Sequence, residues 1–288
     1  MIKIVLHSLP NELDQIAWIV DQLKRCSNFV DPSRFILEFT LNVSEEDVNW
    51  QESKVSRDYC IEKFNLLFKK SPFVNRPIVS LEPTGCNTVR RNAIREADNV
   101  TDIIGLDPDL LFTEYTLYIL QEAIDSINHD YYIITPQIFQ LWDSSWDIIS
   151  HKDFCFTPRE EKLWLKDPYM LFKHSFGEVK VTNLPYFKFD GGWMTVYSKK
   201  LLQLIDIPDS LGHYGLDDTF ISSCANMLKE SGYNANQYLV ENLLVVEDRV
   251  YRSASMDPFI TLVDHKDRMR ENSHSSFQNE LVKFRNKI

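Results

Sequence analysis

Asp107-Pro108-Asp109 follows directly on an apolar run that ends at Leu106. Two carboxylates one residue apart offer hard oxygen ligands to Mg2+ or Mn2+. Such ions are usually held by one or two carboxylates together with substrate phosphates. Pro108 restricts the backbone between them and holds their relative direction. The plainer alternative makes Asp107 the start of a turn and Asp109 a cap for a helix near Thr113, since aspartate commonly does both.

A second acidic pair stands in Gly215-Leu216-Asp217-Asp218, after a glycine-bearing loop and at the expected start of a helix over 217–231. Neighbouring carboxylates repel, so one of them holds its proton more tightly, which suits a general base. A helix N-terminus favours the anion and pulls the other way. An N-cap followed by a first-turn acid explains the same residues without chemistry. A third feature is Asp190-Gly191-Gly192-Trp193. Here paired glycines allow close backbone approach to a ligand, and the indole offers an apolar face for a sugar ring. A tight turn beside a core tryptophan is the alternative.

These residues need elements to carry them. Short apolar runs at 2–6, 35–43, 78–81, 101–106 and 131–135 read as strands, and 196–205 as a strand passing into a helix. Helical spacing marks 11–25, 58–70, 88–97 with Asn87 as its cap, 114–127 and 217–231. Strand and helix alternate, so the fold class is α/β with a mostly parallel central sheet flanked by helices. In such sheets ligands gather at the carboxyl ends of strands, where Asp107 and Asp109 fall. The aromatic stretch 142–178 reads as loops and short helices over a cleft. Trp142, Trp146, Trp164, Tyr169 and Phe172 form either an acceptor platform or lid, or a satellite core beneath a long loop. Beyond Val246 the pattern dissolves into a charged, His-bearing tail.

The 288 residues are 44% hydrophobic and 25% charged, an ordinary globular balance. One domain is expected over 1–288. No apolar run approaches the roughly 20 residues that span a bilayer. The apolar start is brief and reads as a first strand, not a signal peptide. Five scattered cysteines without a C-x-x-C pair fit a reducing cytoplasmic location. A net charge of −11 disfavours a nucleic-acid partner.

Taken in order, the motifs resemble GT-A glycosyltransferases, particularly inverting family 2 enzymes and the β-1,4-galactosyltransferase group. The resemblance spans about residues 1 to 270 and implies a nucleotide-binding half at 1–112 and an acceptor-binding half at 113–288. It rests on Arg91-Asn92, Asp107-Pro108-Asp109, Gly191-Gly192-Trp193, Gly215-Leu216-Asp217-Asp218 and Val263-Asp264-His265-Lys266-Asp267. Two departures stand out. Asp217 occupies a position where glutamate is commoner, and His7-Ser8-Leu9-Pro10-Asn11 replaces the usual phrase after the first strand.

The resemblance implies a metal-dependent, inverting transfer of a sugar from a nucleotide-diphosphate donor, UDP by default, to a hydroxyl of a glycan or small-molecule acceptor. Asp109 is then a direct metal ligand, and Asp107 assists through metal-bound water or the donor ribose. His265 matches the late metal ligand and favours Mn2+ over Mg2+. Asp218 is the base, and Asp217 hydrogen-bonds a sugar. Ser8 and Pro10 lie where base and ribose bind, and Arg91 reaches the nucleotide or diphosphate. Gly191, Gly192 and Trp193 border the donor sugar. Two rivals differ in what they release or do. A nucleotidyltransferase acting on a sugar phosphate frees pyrophosphate, and a non-catalytic nucleotide-sugar binding protein turns nothing over. No Gly-rich, basic phosphate loop follows the first strand, which speaks against the former.

Overall fold

The computed structural model describes residues 1–141, 178–185, 187, 194–248 and 265–288. Its first strand, β1 (Ile2–Ser8), is buried along almost its whole length. A strand reads as a continuous apolar run when helices cover both faces of its sheet. β2 (Phe35–Asn42) and β4 (Asp102–Leu106) flank β1 in parallel, with Ile2 opposite both Phe35 and Asp102. β3 (Val74–Ser80) lies parallel outside β2.

The other half of the sheet is mixed. It contains β5 (Leu110–Leu111), β6 (Tyr131–Leu141), β7 (Val181–Leu184), β8 (Thr195–Ser198) and β9 (Ala235–Asp248). The nine-stranded order is β3-β2-β1-β4-β8-β6-β9-β5, with β7 also paired to β9. β8 runs antiparallel between β4 and β6, and β6 and β9 are parallel. Their register shifts between Pro136 and Gln137. Proline has no N–H to give the ladder, and such residues collect at irregularities.

Side chains alternate across the sheet and so divide the core in two. Ile2, Ile4 and Leu6 face α1 (Leu13–Cys26), α2 (Arg57–Leu67) and α4 (Thr116–Asp125). Val5 faces the opposite layer of α3 (Cys86–Arg95), α5 (Lys199–Ile205), α6 (Asp217–Glu230) and α7 (His265–Lys287). Lys3 belongs to the second face and is fully buried. Its ammonium lies 2.8 Å from Asp98 and 3.2 Å from Glu38, and it also pairs with Glu96. Lys199 holds the other Asp98 oxygen at 2.5 Å. This ion cluster ties the far end of α3 to the sheet.

Two expectations are corrected. The C-terminal region is not a patternless tail, because 265–287 form the helix α7. Phe277, Leu281 and Phe284 share one face at helical spacing and pack into the second core, with Phe277 edge-on to Phe220. The charged residues between them hide this stripe from a short window. Nor does Asn87 cap α3. Gly85 takes that place, and Asn87 sits in the first turn. Among the described residues no helix is long and apolar enough to cross a membrane.

Candidate functional site

Leu6 of β1 lies opposite Leu106 of β4, so Asp107-Pro108-Asp109 leaves the sheet level with the end of β1. Asp109 does not cap a helix. Leu110 and Leu111 continue as β5, and α4 begins only at Thr116, whose hydroxyl accepts the Thr113 N–H at 3.1 Å. Asp109 is 6% exposed, yet it lines a cavity of about 320 Å³ with Pro108, Leu110, Leu111 and α1 residues Asp14, Gln15 and Trp18.

Asp107 turns to the other helical layer. Its Oδ1 lies 3.5 Å from one terminal nitrogen of Arg90, and the other terminal nitrogen donates to Asp217 Oδ2 at 2.5 Å. Arg90 and Asp217 are both buried. The bridge joins the two acidic motifs, and its Arg90–Asp217 bond alone spans 127 residues of chain. Gly105 makes room for it: a Cβ there would stand 3.2 Å from Arg90 Nε. A glycine inside an otherwise apolar strand often marks such a close approach. That was the available signal for Arg90, which sequence reasoning passed over in favour of its neighbour.

Arg91 points to the loop that precedes α6. Its Nε donates to Ile207 O at 2.8 Å, and one terminal nitrogen donates to Pro208 O at 2.8 Å and Gly212 O at 3.0 Å. Asp209 adds an ion pair at 3.1 Å. One residue along a helix rotates the side chain by about 100°, enough to turn Arg90 to the site and Arg91 to the loop behind it.

That loop sets the start of α6. Gly85 packs so tightly that an added Cβ would fall 2.2 Å from His213 O. The Asn87 N–H donates to the same oxygen at 3.0 Å, and Asn87 Nδ2 donates to Gly215 O at 3.0 Å. Thr88 Oγ1 and His213 Nδ1 are 2.8 Å apart. Gly215 and the N-cap Leu216 both have positive φ, 89° and 61°. Leu216 is strained there, and the tightly held loop supports the strain. Asp217 and Asp218 thus open the first turn of α6.

Asp218 is half-buried and its Oδ1 accepts the Thr219 N–H at 2.6 Å. Burial and then the Asp217 charge push its pKa up to about 6, against the pull of Arg90 and the Thr219 amide. The competition left open in the sequence therefore falls to desolvation and like-charge repulsion. Nearby Cys86 is pushed far up by burial, with Asp217 and Asp107 adding to it. A thiol so placed stays protonated and is no nucleophile.

Ser8 ends β1 fully buried, its hydroxyl donating to Thr40 O at 3.1 Å. Its side chain ties β1 to β2 at the end of the sheet where the nucleotide is expected. Pro10 is buried at the start of a single 3-10 turn, Pro10–Glu12, and Glu12 accepts the Leu9 N–H at 2.8 Å. Beside it, the end of β2 carries a buried knot that sequence reasoning missed. Asn42 Nδ2 donates to Asp47 Oδ2 at 2.6 Å and Thr84 O at 2.8 Å, and Ser44 Oγ donates to the same Asp47 oxygen at 2.7 Å. Gly191, Gly192 and Trp193 lie outside the described residues. His265 opens α7, but its side chain is outside them too.

Among the described residues, no three His, Cys, Asp or Glu side chains gather as a self-sufficient metal cage. Asp107 and Asp109 suit the other kind of site, in which one or two carboxylates share the ion with phosphate oxygens and water.

The fold superimposes on fragment 1–349 of S. aureus TarS with a TM-score of 0.50 at 12% identity, covering 98% of this chain and 72% of that one. The same fragment in complex with UDP-GlcNAc gives 0.50 at 11% identity, covering 98% and 73%. The chain has the GT-A fold. Glucosyl-3-phosphoglycerate synthase from Mycobacterium tuberculosis, in complex with Mn2+, UDP and glucosyl-3-phosphoglycerate, reaches 0.48 at 13% identity, covering 98% and 80%. The sequence matches no family model and no curated protein. Within this GT-A chain, the D-x-D segment leaves β4, the first of the parallel strands to meet the antiparallel β8, and the second acidic pair opens α6 beside it.

Proposed function

We propose that this protein is a metal-dependent glycosyltransferase that moves a sugar from a UDP-sugar to a hydroxyl acceptor with inversion at the anomeric carbon. The observation that carries the reading is the Arg90 bridge. It draws Asp107 of the D-x-D segment and Asp217 of the α6 start to one guanidinium, at the carboxyl end of a GT-A sheet. The S. aureus TarS fragment of the same fold was captured with UDP-GlcNAc, which supports a UDP-sugar as donor.

In this reading Asp109 would hold Mn2+ or Mg2+ together with the donor diphosphate, Asp107 would assist through metal-bound water or the donor ribose, and His265 is a further candidate ligand. The bound ion supplies Lewis-acid neutralisation of the leaving diphosphate. Asp218, with a proton affinity raised to about 6, takes the proton of the acceptor hydroxyl. Asp217 is less a sugar contact than a fixed anion, paired to Arg90 and holding its neighbour in place. Arg90 sets the separation of the two acidic motifs. Pro10 ends the donor pocket at β1, and Gly191, Gly192 and Trp193 remain proposed contacts of the donor sugar.

The test is a donor screen. Release of UDP, GDP or CMP is measured from a panel of nucleotide-sugars, with and without Mn2+. Metal-dependent release of a nucleoside diphosphate, lost in Asp109→Ala, supports the proposal. Release of pyrophosphate from a nucleoside triphosphate and a sugar phosphate would point instead to nucleotidyl transfer.

A further inference from the structure

The first turn of α3 holds the turn that precedes the second acidic pair. Asn87 is fully buried. Its Nδ2 donates to Gly215 O at 3.0 Å and to Leu211 O at 3.4 Å. Its Oδ1 accepts from the Cys86 thiol at 3.5 Å. The Gly215 N–H in turn donates to Cys86 Sγ. Both peptide groups that flank the Gly215 Cα are therefore held by consecutive residues of α3. The asparagine amide carries a donor and an acceptor on one side chain, which is what closes this ring.

The place of the ring matters for the residues that follow it. The Gly215 carbonyl belongs to the peptide plane that enters Leu216. Holding that plane holds φ of Leu216 at 61°, a left-handed conformation that is unfavourable for a residue with a Cβ. Leu216 is the N-cap of α6, so its dihedrals set the direction in which Asp217 and Asp218 leave the turn. Arg90, three residues beyond Asn87 on the same helix, takes hold of Asp217. α3 thus grips both ends of 215–217, and Asp218 follows directly.

We infer that Asn87, completed by Cys86, is a positioning residue: it holds the Gly215–Leu216 peptide so that the Asp218 carboxylate is aimed at the acceptor hydroxyl. It acts through the backbone and needs no contact with substrate. The role of Asp218 as base rests on the glycosyltransferase reading. The hold on its side chain stands on the geometry alone.

The experiment has two readouts on the full chain, one that needs turnover and one that does not. UDP release from a UDP-sugar with Mn2+ gives kcat and KM. Carbon-13 NMR of protein labelled in its aspartates gives the titration of the Asp218 carboxyl, assigned by its loss in Asp218→Asn. Asp217, Arg90 and Asp107, the charged groups that face Asp218, are kept in the variants compared. In Asn87→Ala, kcat should fall by about 10²-fold with donor KM unchanged, the scale of a reacting group displaced by about 1 Å. Its Asp218 midpoint should drop from about 6 towards 3.8, as the released turn opens the carboxyl to water.

Cys86→Ala should show smaller changes of the same kind, and it carries the test if Asn87→Ala does not fold by near-UV circular dichroism. Cys86→Ser keeps a donor and an acceptor and should stay near wild type. Phe284→Leu, in the second core, controls for lost stability and should move neither readout. Wild-type kcat with an unmoved midpoint in the folded variant overturns the inference. So does a loss carried by KM instead of kcat. A wild-type protein that releases no UDP sinks the glycosyltransferase reading instead. The carboxyl titration then judges the positioning by itself: a lowered midpoint upholds it and an unmoved one overturns it.

Discussion

Arg90 and Asp217 form a buried ion pair at 2.5 Å, and the same guanidinium reaches Asp107 at 3.5 Å through its other terminal nitrogen. A single buried cation thus stands between two acidic motifs, Asp107 and Asp217, that lie 110 residues apart in the chain. Breaking such a pair from one side leaves an uncompensated charge, at about 3–5 kcal/mol. Arg90→Met should lower stability by about that amount in urea titrations. Arg90→Lys keeps the charge but has no fork to span both carboxylates, so it should restore part of the stability and little of the turnover. Equal turnover in Arg90→Lys and wild type would remove the bridge from the mechanism.

Gly105 tests the same bridge from beneath. Gly105→Ala places a methyl group 3.2 Å from Arg90 Nε in a packed interior. Overpacking typically costs about 1–3 kcal/mol. The expected result is a lower Tm together with reduced kcat, because the guanidinium must shift. A lower Tm with unchanged kcat would show that the exact position of Arg90 is immaterial to turnover.

Asp218 carries a pH signature. As a general base it works only when ionised, so kcat/KM should rise with pH and level off above about 6. Asp218→Asn should lower kcat by about 10²–10⁴-fold while donor binding persists. The stability effect has the opposite sign. A carboxyl whose folded pKa is raised from 3.8 to about 6 weakens the fold as pH rises through that window. Asp218→Asn should therefore raise Tm at pH 7 and change it little at pH 3, as scanning calorimetry would read.

The Lys3 cluster answers to acid and alkali. Burial disfavours Asp98 as an anion, but bonds from Lys199 and Lys3 outweigh it and hold its pKa at about 2. Its contribution is present above about pH 3.8 and is lost as pH falls towards 2. Burial also opposes the Lys3 charge, and Asp98 and Glu96 outweigh that, raising its pKa above 10.5. Stability from Lys3 is therefore full below that value and lost above it. Lys3→Met should destabilise the protein by about 3–5 kcal/mol at pH 7 and flatten the acid limb of its stability curve.

Much of the architecture was legible in the chain because it depends on local pattern. The apolar runs of β1, β2, β4 and β6 and the helical stripes of α1, α3, α4 and α6 are set by side-chain periodicity, which needs no knowledge of partners. The place of Asp107 and Asp109 after a buried strand was legible for the same reason. α7 escaped because its stripe of Phe277, Leu281 and Phe284 is sparse and diluted by charge.

What the sequence by itself determined is the set of elements and the acidic motifs at their ends, since propensity and hydrophobic period act within a few residues. Which arginine faces those motifs, which carboxyl keeps its proton, and that Gln15 and Trp18 share a cavity with Asp109 were decided only in the folded molecule. Each depends on a rotation of about 100° along a helix, or on water excluded by distant segments, and neither quantity is written in residue order.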